Sequence, residues 1–140
     1  MRTFVALLVL SSPLLAACQQ AAAATDQEMT HCIGAFEFGK LYWRNQSPPN
    51  HRMAVTLAAG QIYYARKLHA AGVSDAGQAE AVAFVEMHAT DSEFMMETIR
   101  SCGEAQMKDP EFKKQFTALA SMAQQIDPVC KPNPELCAKR

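Results

Sequence analysis

Five cysteines, four histidines and eight methionines carry the most distinctive chemistry in this 140-residue chain. Their spacing limits what that chemistry is. Cys18, Cys32, Cys102, Cys130 and Cys137 form no C-x-x-C pair and no C-x-x-C-H. A thioredoxin-type dithiol and covalent haem attachment are therefore not expected. Three methionines stand near histidines: Met29 with His31, Met53 with His51, and Met87 with His88. Thioether and imidazole ligands suit Cu(I), and His88 with Met95 has the ligand types of an axial haem pair. These pairs fall in separate segments, without a dense methionine run, and methionine equally fills irregular cores. Zinc would need a closed set of ligands at short spacing, and the cysteines are better used elsewhere. G-x-S-x-G, H-E-x-x-H and S-x-x-K are missing, as is a phosphate-cradling glycine loop. Carboxylates such as Glu28, Glu37, Glu86 and Glu97 read as helix-surface residues, which gives no paired glycosidase site. No catalytic residue, metal ligand or cofactor is assigned, and the chain reads as a non-enzyme.

The cysteines gain meaning from the segment before them. Residues 1–17 read MRTFVALLVLSSPLLAA, with a basic start at Arg2 and a short apolar stretch from Phe4 to Leu15. This is a secretory signal, too short to span a bilayer. Leu15-Ala16-Ala17-Cys18 resembles the lipobox of bacterial lipoproteins. That resemblance implies that Cys18 receives a lipid and becomes the first mature residue, with residues 18–24 as a short tether. Gln19 stands where an aspartate often retains such proteins at the inner membrane. The resemblance therefore implies the periplasmic face of the outer membrane. Ordinary secretory cleavage within residues 21–24 is the alternative, giving a soluble periplasmic or secreted protein.

Either route leaves four cysteines for an oxidising compartment, hence two disulfides with three possible pairings. The helical pattern chooses among them. Thr25-Asp26-Gln27-Glu28 has the form of a capping box, opening a helix to about residue 45. Further helices are expected over 51–71, closed by Gly72, over 74–89 with Ser74 as cap, and from Asp91 or Ser92 to 107. Asp109-Pro110 opens a fifth, to about residue 126. Its apolar positions Phe112, Phe116, Leu119, Ala123 and Ile126 mark one buried face. Met95, Ile99 and Cys102 repeat the pattern one helix earlier. Nothing alternates with period two, so the fold class is all-α, a small antiparallel bundle of four to five helices in one domain over 25–140. With neighbouring helices antiparallel, Cys32 and Cys102 fall at the same end, and Cys130 and Cys137 follow the fifth helix at the other. Cys32–Cys102 and Cys130–Cys137 are the expected bridges. Merging the third and fourth helices would undo this assignment.

Net charge −1, with 19% charged and 49% hydrophobic residues, argues against a nucleic-acid binder and against a disordered chain. Five of the ten leucines lie within residues 1–17. The mature core must lean on alanine, phenylalanine and methionine, with limited dispersion contacts. Phe36, Phe38, Tyr42 and Trp43 crowd the first helix more densely than one face can bury. Tyr42, Trp43 and Arg44 lead into the loop Asn45-Gln46-Ser47-Pro48-Pro49 and form the best patch for a protein partner. Cys32-Ile33-Gly34-Ala35-Phe36 near a helix start, with a later Cys102, is similar to periplasmic immunity proteins against type VI secretion amidase effectors. That resemblance implies a helical, disulfide-bonded inhibitor, and it transfers no residue role. The expected function is protein binding at the envelope. The alternative is a periplasmic carrier of copper, haem or a small apolar ligand.

Overall fold

A computed structural model describes residues 24–137. The signal, Cys18 and most of the tether lie outside the described residues. Five α-helices account for most of the rest: α1 Asp26–Arg44, α2 His51–Ala70, α3 Ser74–His88, α4 Ser92–Lys108 and α5 Pro110–Ile126. A short 3-10 turn, Pro134–Leu136, follows. Among the described residues there is no strand, and the fold is an all-α bundle.

Local chemistry sets the helix starts. Thr25 accepts from the Glu28 amide at 3.2 Å while Glu28 accepts from the Thr25 amide at 2.7 Å, a complete capping box. Asn50, Asp91 and Asp109 cap α2, α4 and α5 through their side chains. α3 departs from the expectation. Its cap residue is Val73, which has no capping side chain, and Ser74 is already helical. The Val73 amide instead donates to the Leu68 carbonyl at 3.0 Å, and Gly72 takes a positive φ of 75°. This tight turn carries the chain straight into α3.

α1 and α2 form the central pair. α3 and α4 pack on α1, and α5 packs mainly on α2. Phe36, Leu68, Met95 and Leu119 are fully buried at the centre. Glycine permits the closest approaches. A Cβ on Gly34 would lie 2.8 Å from the Ala81 carbonyl oxygen, so α1 meets the α3 backbone there. A Cβ on Gly60 would lie 2.6 Å from Gln106 Oε1. That space lets buried Gln106 donate to the Gly60 carbonyl at 2.9 Å, tying α4 to α2.

Both expected disulfides form. Cys32–Cys102 joins α1 to α4 with Cα atoms 5.6 Å apart, and Cys130–Cys137 closes the C-terminal loop at 5.7 Å. Contacts at Gly39–Ile99 and Cys32–Cys102 run in opposite sequence order, as antiparallel helices require. The C-terminal loop packs Cys130 and Cys137 onto Val55 and Ala123. By covering Ala123 it leaves Ile126 outside, 71% exposed. Ile126 therefore does not belong to the buried face of α5, although its spacing places it there. Phe112, Leu119 and Ala123 are buried as expected.

Candidate functional site

A groove of ≈ 980 Å³ opens between the first turns of α1 and the outer face of α4. Its volume falls at the upper end of the range of about 300–1,000 Å³ common for small-molecule sites. Met29, Phe94, Ala105 and the Cys32–Cys102 bridge supply apolar surface. Tyr64 and Lys67 reach it from α2, and Asp109 and Pro110 from the start of α5. Ala24, the first described residue, lies at its edge.

Asp109 organises the polar end. Its Oδ2 accepts from the Tyr63 hydroxyl at 2.6 Å and from Lys67 Nζ at 2.9 Å, while Oδ1 accepts from the Glu111 amide at 2.9 Å. Burial opposes the charge on this carboxylate. The hydrogen bonds from Tyr63 and Lys67 outweigh it and hold the group down at about 2. For Lys67, burial again opposes the charge, but its bonds to Tyr63 and Asp109 raise it above the ordinary lysine value. Lys67 Nζ also lies 4.8 Å from the centre of the Tyr63 ring.

Tyr64 behaves differently from its neighbour. It is 4% exposed and packs near-parallel to Phe36 with ring centres 6.4 Å apart. Burial pushes its phenol up to about 12. Among the described residues its hydroxyl has no hydrogen-bond partner, and it is not among the polar atoms sealed from solvent. The hydroxyl therefore faces the groove.

Of the expected partner patch, Tyr42 is 37% exposed and its neighbour Leu41 52%. Trp43 is half-buried against the core and meets Tyr42 edge-on at 5.3 Å. Arg44 is paired with buried Asp127. Asp127 also accepts from the Val129 and Cys130 amides at 2.9 and 3.1 Å. Burial opposes its charge, and those amides with Arg44 lower it below the usual carboxylate range. The three residues thus split into an exposed ring, a packed ring and a structural clamp. The patch and the groove are separate places.

The methionine–histidine pairs are dispersed. Met29 is buried, while Met87 is exposed. His31 stacks on Phe84 at 4.5 Å with its Nε2 3.3 Å from Glu80, and His88 lies 4.4 Å from the Phe94 ring. Among the described residues no three His, Cys, Asp or Glu side chains converge as a metal site.

Sequence reasoning missed the Tyr63–Lys67–Asp109 cluster. Asp109 reads from the sequence only as a helix cap. The available signal was the four-residue spacing of Tyr63 and Lys67, which puts both on one face of α2. No family model, curated protein or solved structure matches the chain.

Proposed function

We propose that this protein is a non-catalytic helical binding protein of the bacterial envelope. It is tethered by lipid on Cys18 at the periplasmic face of the outer membrane. There it engages an envelope or effector protein, as an inhibitor or immunity protein would. The observation that carries this reading is the end of α1. Leu41 and Tyr42 present apolar surface beside Trp43. That surface is braced by the Arg44–Asp127 pair and by the Asn50 amide on the Trp43 carbonyl at 2.8 Å. An aromatic side chain held rigidly at a surface loses little conformational entropy on binding.

Two measurements test it. Labelled palmitate should be incorporated into the full chain and lost in Cys18→Ser. The product of a neighbouring secreted amidase gene should bind the protein and be inhibited by it, and Tyr42→Ala should weaken binding about tenfold, as for an interface residue worth ~1.4 kcal/mol. Absence of binding and inhibition ends the immunity reading. The carrier reading rests on the α1–α4 groove, whose size and mixed lining suit a small ligand.

A further inference from the structure

The groove has one feature that the packing of the bundle does not require. Tyr64 is almost wholly buried, yet its hydroxyl is left without a partner among the described residues and turned toward the open space. A phenylalanine would fill the same ring volume without removing an unbonded hydroxyl from most of its water. The hydroxyl keeps only part of its hydration and gains no protein partner in exchange, a shortfall that a ligand acceptor in the groove makes good.

The surrounding charges define the ligand. Asp109 is committed to Tyr63, Lys67 and the Glu111 amide. Glu97 also lines the groove, and its charge is paired with Arg100 at 2.6 Å. Glu28 holds the Thr25 amide. The donors with spare capacity are the Tyr64 hydroxyl, the remaining N–H bonds of Lys67, and Lys108, which has no carboxylate partner among the described residues. A donor-rich end calls for an accepting, anionic group. Glu28 also lines the groove and opposes added negative charge, so a singly charged group fits better there than a dianion. Beyond this end the lining is apolar: Met29, the Cys32–Cys102 bridge, Ala105 and Phe94. Ala24 lies at the edge of the groove. From there at most about 20 Å of extended chain leads back to Cys18. With the lipid tether in place, the opening is held near the membrane surface.

We infer that this groove binds a long-chain aliphatic monocarboxylate, a free fatty acid. The carboxylate is held by Tyr64, Lys67 and Lys108, and the chain lies on Met29, the disulfide and Phe94. The inference goes beyond protein docking at the end of α1 and does not depend on it, since the two sites share no residue.

The soluble chain from Gln19 onward, without the lipidated Cys18, contains every described residue and serves for the test. Titration calorimetry with carboxylates of eight to fourteen carbons, below their micelle concentrations, should show affinity rising about fourfold per buried methylene. Dodecyltrimethylammonium should bind at least tenfold more weakly than dodecanoate. Tyr64→Phe and Lys108→Gln should each weaken dodecanoate severalfold while leaving the melting curve in place. Ser101→Trp, a substitution on the exposed wall of the groove, should block it. Affinity independent of chain length, equal binding of the cationic amphiphile, or undiminished binding in Ser101→Trp would each overturn the inference. So would absence of binding.

Discussion

The two flanks of the central α1–α2 pair are held by different chemistry. On one side α4 is bound to α1 by the Cys32–Cys102 bridge, and the surface beside that bridge stays open as a groove. On the other, α5 is clamped to the rest of the bundle at both ends by carboxylates. Asp109 at its start holds Tyr63 and Lys67, and Asp127 just past its end holds Arg44 and two amides of the following loop. A covalent staple tolerates an incompletely filled neighbourhood, because it acts largely by restricting the unfolded chain. A carboxylate clamp works only while its charge and geometry persist. The open space lies along the stapled flank and reaches the clamped one at its Asp109 end. The clamped flank is closed by the Phe112, Leu119 and Ala123 face and by the C-terminal loop.

Removing the staple is expected to give the largest effect. Cys32→Ser with Cys102→Ser opens a loop spanning 70 residues, worth about 4 kcal/mol in the chain-entropy model. Denaturant unfolding should show a loss of that size and a markedly lower Tm. A melting curve like that of the parent would mean that packing alone holds α4. The clamp at the end of α5 comes next. Asp127→Ala leaves the Arg44 charge without its partner and two amides without their acceptor. The expected cost is about 3 kcal/mol, with faster amide exchange concentrated in residues 123–137. Exchange spread evenly over the bundle would contradict a local clamp.

The smallest expected effect is in acid, and its sign follows from the lowered carboxylates. Asp109 titrates at about 2 in the folded protein, below its unfolded value of about 3.9. Its contribution is complete above the unfolded value and is lost as pH falls from about 4 toward 2, and Asp127 shifts in the same direction. Asp109→Asn keeps an oxygen to cap α5 but removes the charge. It should cost about 1–2 kcal/mol at pH 7 and flatten the acid dependence. The Cys32–Cys102 flank should keep its stabilisation through the same range, since a disulfide does not titrate. An unchanged acid profile in Asp109→Asn would assign the acid sensitivity elsewhere.

Much of the bundle is legible in the chain because its determinants are local. Thr25 with Glu28, Asp91, and Asp109 with Pro110 act within one turn of the helices they start, and each cap is where the spacing puts it. The disulfides follow from helix count and direction, which caps and short connections fix. Where the outcome depends on which neighbour covers a residue, spacing misleads. Ile126 has the right period for the core and is exposed, because the C-terminal loop folds over Ala123 instead. Ser74 has the right chemistry for a cap and is bypassed by the Leu68–Val73 turn.

The sequence by itself determined an all-α bundle of four to five helices and their starts, and with five separate helices the two bridges, since capping, periodicity and connection length operate over a few residues. Tertiary structure alone decided the rest. It brought Asp109 to Tyr63 and Lys67 across more than forty residues. It set Arg44 against Asp127 across 83. It left the Tyr64 hydroxyl outside that network, in the groove that Lys67 and Asp109 also line. Hydrogen bonds and burial depend on distance in space, and two adjacent tyrosines on one helix point about 100° apart. One therefore met a carboxylate, and the other met the open space beside the disulfide.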